Sequence, residues 1–187
     1  MIHSVRFTVV LDTNVVYPVI IRDILFWFAY YDLYTPKWSE HIFDEWKKVM
    51  MEKGVSEDDA NKRISKANLA FPDALVQNYK GLINHLELPD KDDRHVLAAA
   101  IKTNANLIVT NNIKDFPKEY LHSFSLSAKT ADDFLTDIID LNQEQAVAAF
   151  KEMVLNKKNP KQDEFEVLDQ LRNAGLKDTA NYLHALM

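Results

Sequence analysis

Cysteine is absent from the 187 residues. That excludes disulfides and thiolate metal sites, and leaves any metal to oxygen ligands or to the six histidines. A basic surplus is also missing. The formal charge is −6, so bulk electrostatic attraction to nucleic acid is not expected, and a phosphate-bearing substrate needs a local basic patch or bound cations. No apolar run approaches a membrane span, and the amino terminus shows no basic segment followed by a long apolar block; the expected location is cytoplasmic, with no membrane association. Internal repeats, low-complexity tracts and long linkers are lacking too. What remains is a chain whose length and 47% hydrophobic content suit one globular body with an appendage.

The stretch from Pro89 to Pro117 carries most of the information. Val96, Leu97, Ala100 and Ile101 have the spacing of an apolar helix face, and Leu107-Ile108-Val109 is a continuous apolar run of the kind found in strands covered on both sides. A helical projection places Asp93 beside Val96, Leu97 and Ala100 on the inward face and turns Asp92 to the flank. An inward carboxylate is costly unless paired or bound to a metal. The competing reading is a capping arrangement, with Asp90 as the cap and Asp93 three residues on.

Arg6 to Leu11 reads as a strand that ends in Asp12-Thr13-Asn14. Acid at the carboxyl end of an opening strand sits where α/β folds bind ligands, although a turn or helix cap explains the same residues. Pro18 to Tyr31 is a helix apolar around most of its circumference. Leu33-Tyr34 suggests a short strand, and Thr35-Pro36 suggests an N-cap with proline at the first helical position, opening a helix that runs to about Met50 or Lys53 before Gly54. Ile42, Trp46, Val49 and Met50 form its apolar face, with Glu45 at the edge and free to pair with Lys48 as an alternative. Glu40, Asp44 and Glu52 turn outward. Ser56 opens a helix over Ala60, Ile64, Ala67 and Phe71, ended by Pro72, and residues 73 to 88 carry a further short helical pattern. Phe124 to Ala128 reads as a closing strand. Four helical patterns then follow: Ala131–Leu141, Gln143–Leu155, Asp163–Ala174 and Leu176–Met187. The expected division is an α/β body over 1–130 and a helical extension over 131–187.

With parallel strands, Asp12 and the 111–115 loop share one end of the sheet, and the start of the Asp93 helix lies there as well. Carboxylates clustered without cysteine or histidine ligands suit Mg²⁺ or Mn²⁺, and two such ions can activate water and stabilise a leaving oxygen in phosphodiester hydrolysis.

Val-Leu-Asp12-Thr-Asn14, Ser39 with Glu45, Asp-Asp93-Arg-His-Val-Leu-Ala-Ala-Ala and Val109-Thr-Asn-Asn112-Ile-Lys-Asp115-Phe together resemble the PIN-domain nucleases. That family includes the VapC-type toxins of bacterial toxin–antitoxin pairs, and the likeness is to the branch with a helical carboxyl-terminal extension. The resemblance implies a three-layer fold with a mainly parallel central sheet flanked by helices. It also implies metal-dependent hydrolysis of RNA to 5′-phosphate products, a small antitoxin partner and a candidate homodimer. Residue by residue, it makes Asp12, Glu45 and Asp93 catalytic metal ligands. Asn112 stands where the family often has aspartate, which leaves one fewer charge: either Asp115 supplies the fourth carboxylate, or the second metal binds only with substrate. Thr13, Asn14, Thr110 and Asn112 would orient those carboxylates, and Lys91, Arg94 and Lys114 would hold the RNA backbone. Two alternatives stay open: a PIN-like scaffold that binds RNA or protein with little catalysis, and a haloacid-dehalogenase-type phosphatase. The latter expects a second acid two residues after Asp12, where Asn14 stands.

Overall fold

The computed structural model describes residues 7–187. Five strands, β1 (Thr8–Leu11), β2 (Thr35–Ser39), β3 (Leu75–Val76), β4 (Leu107–Val109) and β5 (Ser127–Lys129), form one sheet in the order β3-β2-β1-β4-β5, each pair parallel. The chain winds outward from β1 to β3, then crosses back to place β4 on the other side of β1. That reversal makes the carboxyl ends of β1 and β4 a switch point, the usual ligand crevice of a parallel sheet. The first expected strand residue, Arg6, lies outside the described residues.

The first connection is α1 (Thr13–Val16) and α2 (Val19–Tyr30), and the second is α3 (Glu40–Glu52) and α4 (Glu57–Ala70). Two short stretches depart from the helices expected of them. Thr35 and Pro36 belong to β2, and Ser39 caps α3 instead, its Oγ accepting the Ile42 N–H at 3.3 Å. The proline is tolerated because alternate N–H groups of a strand face opposite neighbours. The Thr35 N–H goes to Phe7 O of the β1 side, so Pro36 faces β3, which pairs only with Trp38 and Ser39. No ladder bond is lost there. Leu33-Tyr34 precedes β2 as a turn, with the Tyr34 hydroxyl donating to Leu25 O at 2.8 Å. Residues 73–88 hold β3 and the single-turn α5 (Lys80–Ile83) rather than one continuous pattern. Gly54 ends α3 with φ +87°, the left-handed conformation that suits glycine.

Helix α6 (Arg94–Lys102) leads into β4, whose residues are all buried. A short helix, α7 (Lys118–His122), and the turn after it take up the chain as far as Ser125, so the closing strand expected from Phe124 begins at Ser127. Four helices follow: α8 (Ala131–Leu141), α9 (Gln143–Leu155), α10 (Glu164–Asn173) and α11 (Lys177–Leu186). Asp163 and Glu166 form a reciprocal capping box at α10. Asp132 on α8 receives the Thr179 N–H at 2.8 Å and hydroxyl at 2.6 Å, tying α11 to α8. The extension rests on the body: the Phe134 and Tyr34 rings meet edge-on at 5.0 Å, and Lys157 pairs with Asp23 at 3.0 Å. Phe134, Leu135, Ile138 and Phe150 belong to one hydrophobic core with β1 and α2.

Candidate functional site

Asp12 follows the central strand and opens α1 as its N-cap, only 4% exposed. The cap reading and the buried-acid reading are both true of it. Oδ1 accepts the Thr13 N–H at 2.6 Å, while Oδ2 accepts Asn14 Nδ2 at 2.6 Å and the Thr110 hydroxyl at 2.8 Å. Burial raises its pKa; the Thr110 and Thr13 hydrogen bonds oppose the rise, and the charge of Glu45 adds to it. Asn14 also donates to Thr110 Oγ1 at 2.9 Å and accepts the Asn111 N–H at 2.9 Å. The Asn112 N–H reaches Thr110 Oγ1 at 3.0 Å. The ends of β1 and β4 are thus knitted together around one carboxylate.

Glu45 arrives from α3. The Thr13 hydroxyl donates to its Oε2, and His95 Nε2 lies 3.0 Å from its Oε1. Burial alone would raise its pKa, but hydrogen bonds from His95 and Thr13 and the nearby imidazoles outweigh burial and lower it. His95 is buried, and its ring stacks on His41 at 5.2 Å; His41 Nδ1 in turn meets the Tyr79 hydroxyl. The sequence reading passed over these three residues. The available signal was a histidine directly before the apolar run Val96–Ala100, and a second one turn before Glu45 on α3.

Asp93 is the N-cap of α6 by position, yet its side chain makes no capping hydrogen bond. The expected Asp90 cap is not formed either, since Asp90 Oδ1 accepts the Asp92 N–H at 2.9 Å ahead of the helix. Asp93 Oδ2 is buried and has no hydrogen-bond partner. Its pKa is pushed up to about 7, first by burial and then by the charges of Asp12, Asp90 and Asp115. Asp92 is exposed. Asp12, Glu45 and Asp93 line one open cleft of about 460 Å³, which Lys48 and Glu52 also line. Neither Lys48 nor Glu52 was singled out as a site residue from sequence. Asp115 ends a 3₁₀ turn (Ile113–Asp115), where the Asn112 side-chain amide donates to it. It reaches the cluster through its charge on Asp93. Lys91 and Lys114 are exposed, and Arg94 is half-buried with its Nε unpartnered.

Among the described residues, no three carboxylate or imidazole groups converge into a ready-made cation cage. The donor chemistry nevertheless fits a hard divalent cation. Oxygen ligands surround the cleft, Asp93 keeps one buried oxygen unused, and the charge of Glu45 raises the pKa of Asp12 as that of Asp12 raises the pKa of Asp93. The phosphatase alternative lacks its second acid, because Asn14 serves only as a hydrogen-bonding partner of Asp12, Thr110 and Asn111.

Residues 8–114 match the family model described as the PIN domain, and residues 131–185 match that of the VapC50 C-terminal domain. Over 94 residues the chain is 42% identical to a curated Mycobacterium tuberculosis (strain ATCC 25618 / H37Rv) protein named "Putative ribonuclease VapC50". That match covers 48% of this chain and 55% of the relative, so the chain spans about half the length of the protein it matches. No solved structure matched. The PIN-domain match takes in every strand but β5, together with Asp12, Glu45 and Asp93, and the match beyond it covers α8 to α11. The chain belongs to the PIN-domain family, in the VapC-type branch that carries a helical carboxyl-terminal extension.

Proposed function

We propose that this protein is a divalent-metal-dependent endoribonuclease and the toxin of a type II toxin–antitoxin pair. The observation that carries this reading is Asp93, which lines the same cleft as Asp12 and Glu45 and keeps one buried oxygen without a hydrogen-bond partner. Asp12, Glu45 and Asp93 would hold Mg²⁺ or Mn²⁺, with Asp115 as the fourth carboxylate. A cation held there supplies Lewis-acid polarisation of the phosphate and lowers the pKa of bound water. The chain's own residues do the positioning. Thr110 and Asn14 fix Asp12, Thr13 fixes Glu45, and Asn112 steers Asp115. Lys48 in the cleft, with Lys91 and Arg94 beside Asp93 in the chain and Lys114 beside Asp115, offsets phosphate charge on a molecule whose net charge is −6. Hydrolysis breaks the P–O3′ bond and leaves a 5′-phosphate. A small antitoxin, a second copy of the chain and a cytoplasmic setting complete the proposal. No helix among the described residues is long and apolar enough to cross a membrane.

Purified protein incubated with RNA in Mg²⁺ or Mn²⁺, with EDTA as the control, tests this reading. Expected are fragments with 5′-phosphate ends in metal and intact RNA in EDTA. The amide of Asn112 and the lack of a ready-made cage favour one other reading, a weakly catalytic scaffold. RNA retention without cleavage in either ion would establish that reading and overturn the nuclease.

A further inference from the structure

His95 stands outside every role assigned so far, yet it is a buried polar side chain in contact with one of the acids. It lies on α6, buried to 6% exposure, with Nε2 at 3.0 Å from Glu45 Oε1 and Nδ1 buried without a partner. A carboxylate only accepts, so Nε2 carries the hydrogen of this bond. Thr13 holds the other oxygen of the same carboxylate. Glu45 is therefore gripped from both sides, by α1 and by α6. Behind His95 the His41 ring stacks at 5.2 Å with the planes 21° apart, and His41 is anchored by the buried Tyr79 hydroxyl that follows β3. A ring present for packing alone would not leave a buried nitrogen unsatisfied, at a cost that phenylalanine avoids.

We infer that His95 is a positioning residue that fixes the Glu45 carboxylate toward the cleft, and that His41 and Tyr79 hold the imidazole in place. The inference rests on Glu45 being a cation ligand. An unconstrained glutamate at a helix edge samples several rotamers, and freezing it in advance strengthens cation binding without adding a ligand.

The test is Mn²⁺ binding, followed by the metal-induced rise in melting temperature and by the electron paramagnetic resonance of free Mn²⁺. The proteins compared are the original, His95→Phe, His95→Gln and Asp93→Asn. Phenylalanine keeps the ring and its stacking but deletes the hydrogen bond. Glutamine sets an amide nitrogen the same number of bonds from Cα as Nε2 and restores it. We expect His95→Phe to weaken Mn²⁺ binding roughly 10- to 100-fold, the range seen when groups behind a ligand are removed, and His95→Gln to recover to within about threefold of the original on that same scale. If His95→Phe does not fold, His95→Asn, whose shorter amide cannot reach Glu45, gives the same comparison. Equal binding by the original and His95→Phe overturns the positioning role, as does failure of glutamine to rescue a folded protein. Asp93→Asn separates the two levels: if it binds Mn²⁺ as tightly as the original, the acid site itself is misread and the role of His95 falls with it.

Discussion

The two aspartates of the cleft differ in a way that substitution exposes. Asp12 accepts three hydrogen bonds, from Thr13, Asn14 and Thr110, whereas Asp93 has a buried oxygen with no partner. Asparagine at position 12 would turn an amide NH₂ toward a donor, so metal-free Asp12→Asn should be less stable, by about 1–3 kcal/mol. Asparagine at position 93 deletes an uncompensated charge, so metal-free Asp93→Asn should be more stable by about 1 kcal/mol. The pH dependence follows from the raised pKa of Asp93. An acid whose folded pKa lies above its unfolded value costs stability wherever the unfolded chain is ionised. That cost is absent below about 3.8, grows as pH rises, and is complete above about 7. Glu45 works the other way: its lowered pKa stabilises above about 4.5, and that contribution is lost as pH falls through the folded value, on the acid side of the range from pH 5 to pH 8. In EDTA, the advantage of Asp93→Asn over the original should therefore widen between pH 5 and pH 8. A constant advantage across that range would contradict the assigned burial of Asp93. The inward turn of Asp93 was legible in the sequence, but not which of the three acids had its lone pairs occupied.

At the scale of elements, long patterns were legible and short ones were not. The helix from Val19 to Tyr30 follows from its nearly continuous apolar content, and the four helices from Ala131 to Leu186 from their apolar spacing. So does β4, whose three residues are apolar and wholly buried. Thr35-Pro36 misled because an N-cap with a following proline looks the same in a helix start and in a strand whose proline faces no partner; only the position of β3 decides between them. Residues 75–76 are too few for any period to show. The acids escaped this difficulty because Asp12 ends a strand, Asp93 starts a helix and Glu45 edges a long apolar helix face, all places that the longer patterns fix. The loop after β4 gives a test at this scale. Asn112 bonds Asp115 and backs Thr110, while Asp115 places its charge on Asp93. Single-turnover cleavage should fall more in Asp115→Ala than in Asn112→Ala, and the reverse ranking would move the fourth ligand to position 112.

On the whole molecule, body and extension share one core, which bears on how separable they are. We propose 1–130 as the nuclease body and 131–187 as a helical extension that covers it. Cutting at 130 leaves all four carboxylates in place but uncovers the body surface packed beneath Phe134, Leu135, Ile138 and Phe150. At roughly 1.5–3 kcal/mol per large apolar side chain, the loss approaches the entire margin of a typical domain, about 5–15 kcal/mol. The 1–130 fragment should be poorly soluble with residual cleavage, judged by the soluble fraction and activity per mole of folded protein. A soluble, stable but inactive fragment would give the extension a part in catalysis or substrate binding. An apolar cleft lined by Trp27, Tyr30, Tyr31 and Phe71 lies near the carboxyl end of α2, which leads into the start of β2, so it sits at the opposite end of the sheet from the acids. It does not compete with them as the site of chemistry. The most direct test of the account is single-turnover RNA cleavage in Mn²⁺ by the original protein, Asp93→Asn and Asp92→Asn, each first shown to be folded. The account predicts a loss of roughly 100-fold or more for Asp93→Asn, beyond what removing a group behind a ligand costs, and little change for the exposed Asp92. Equal losses from both, or undiminished cleavage by Asp93→Asn, would contradict it.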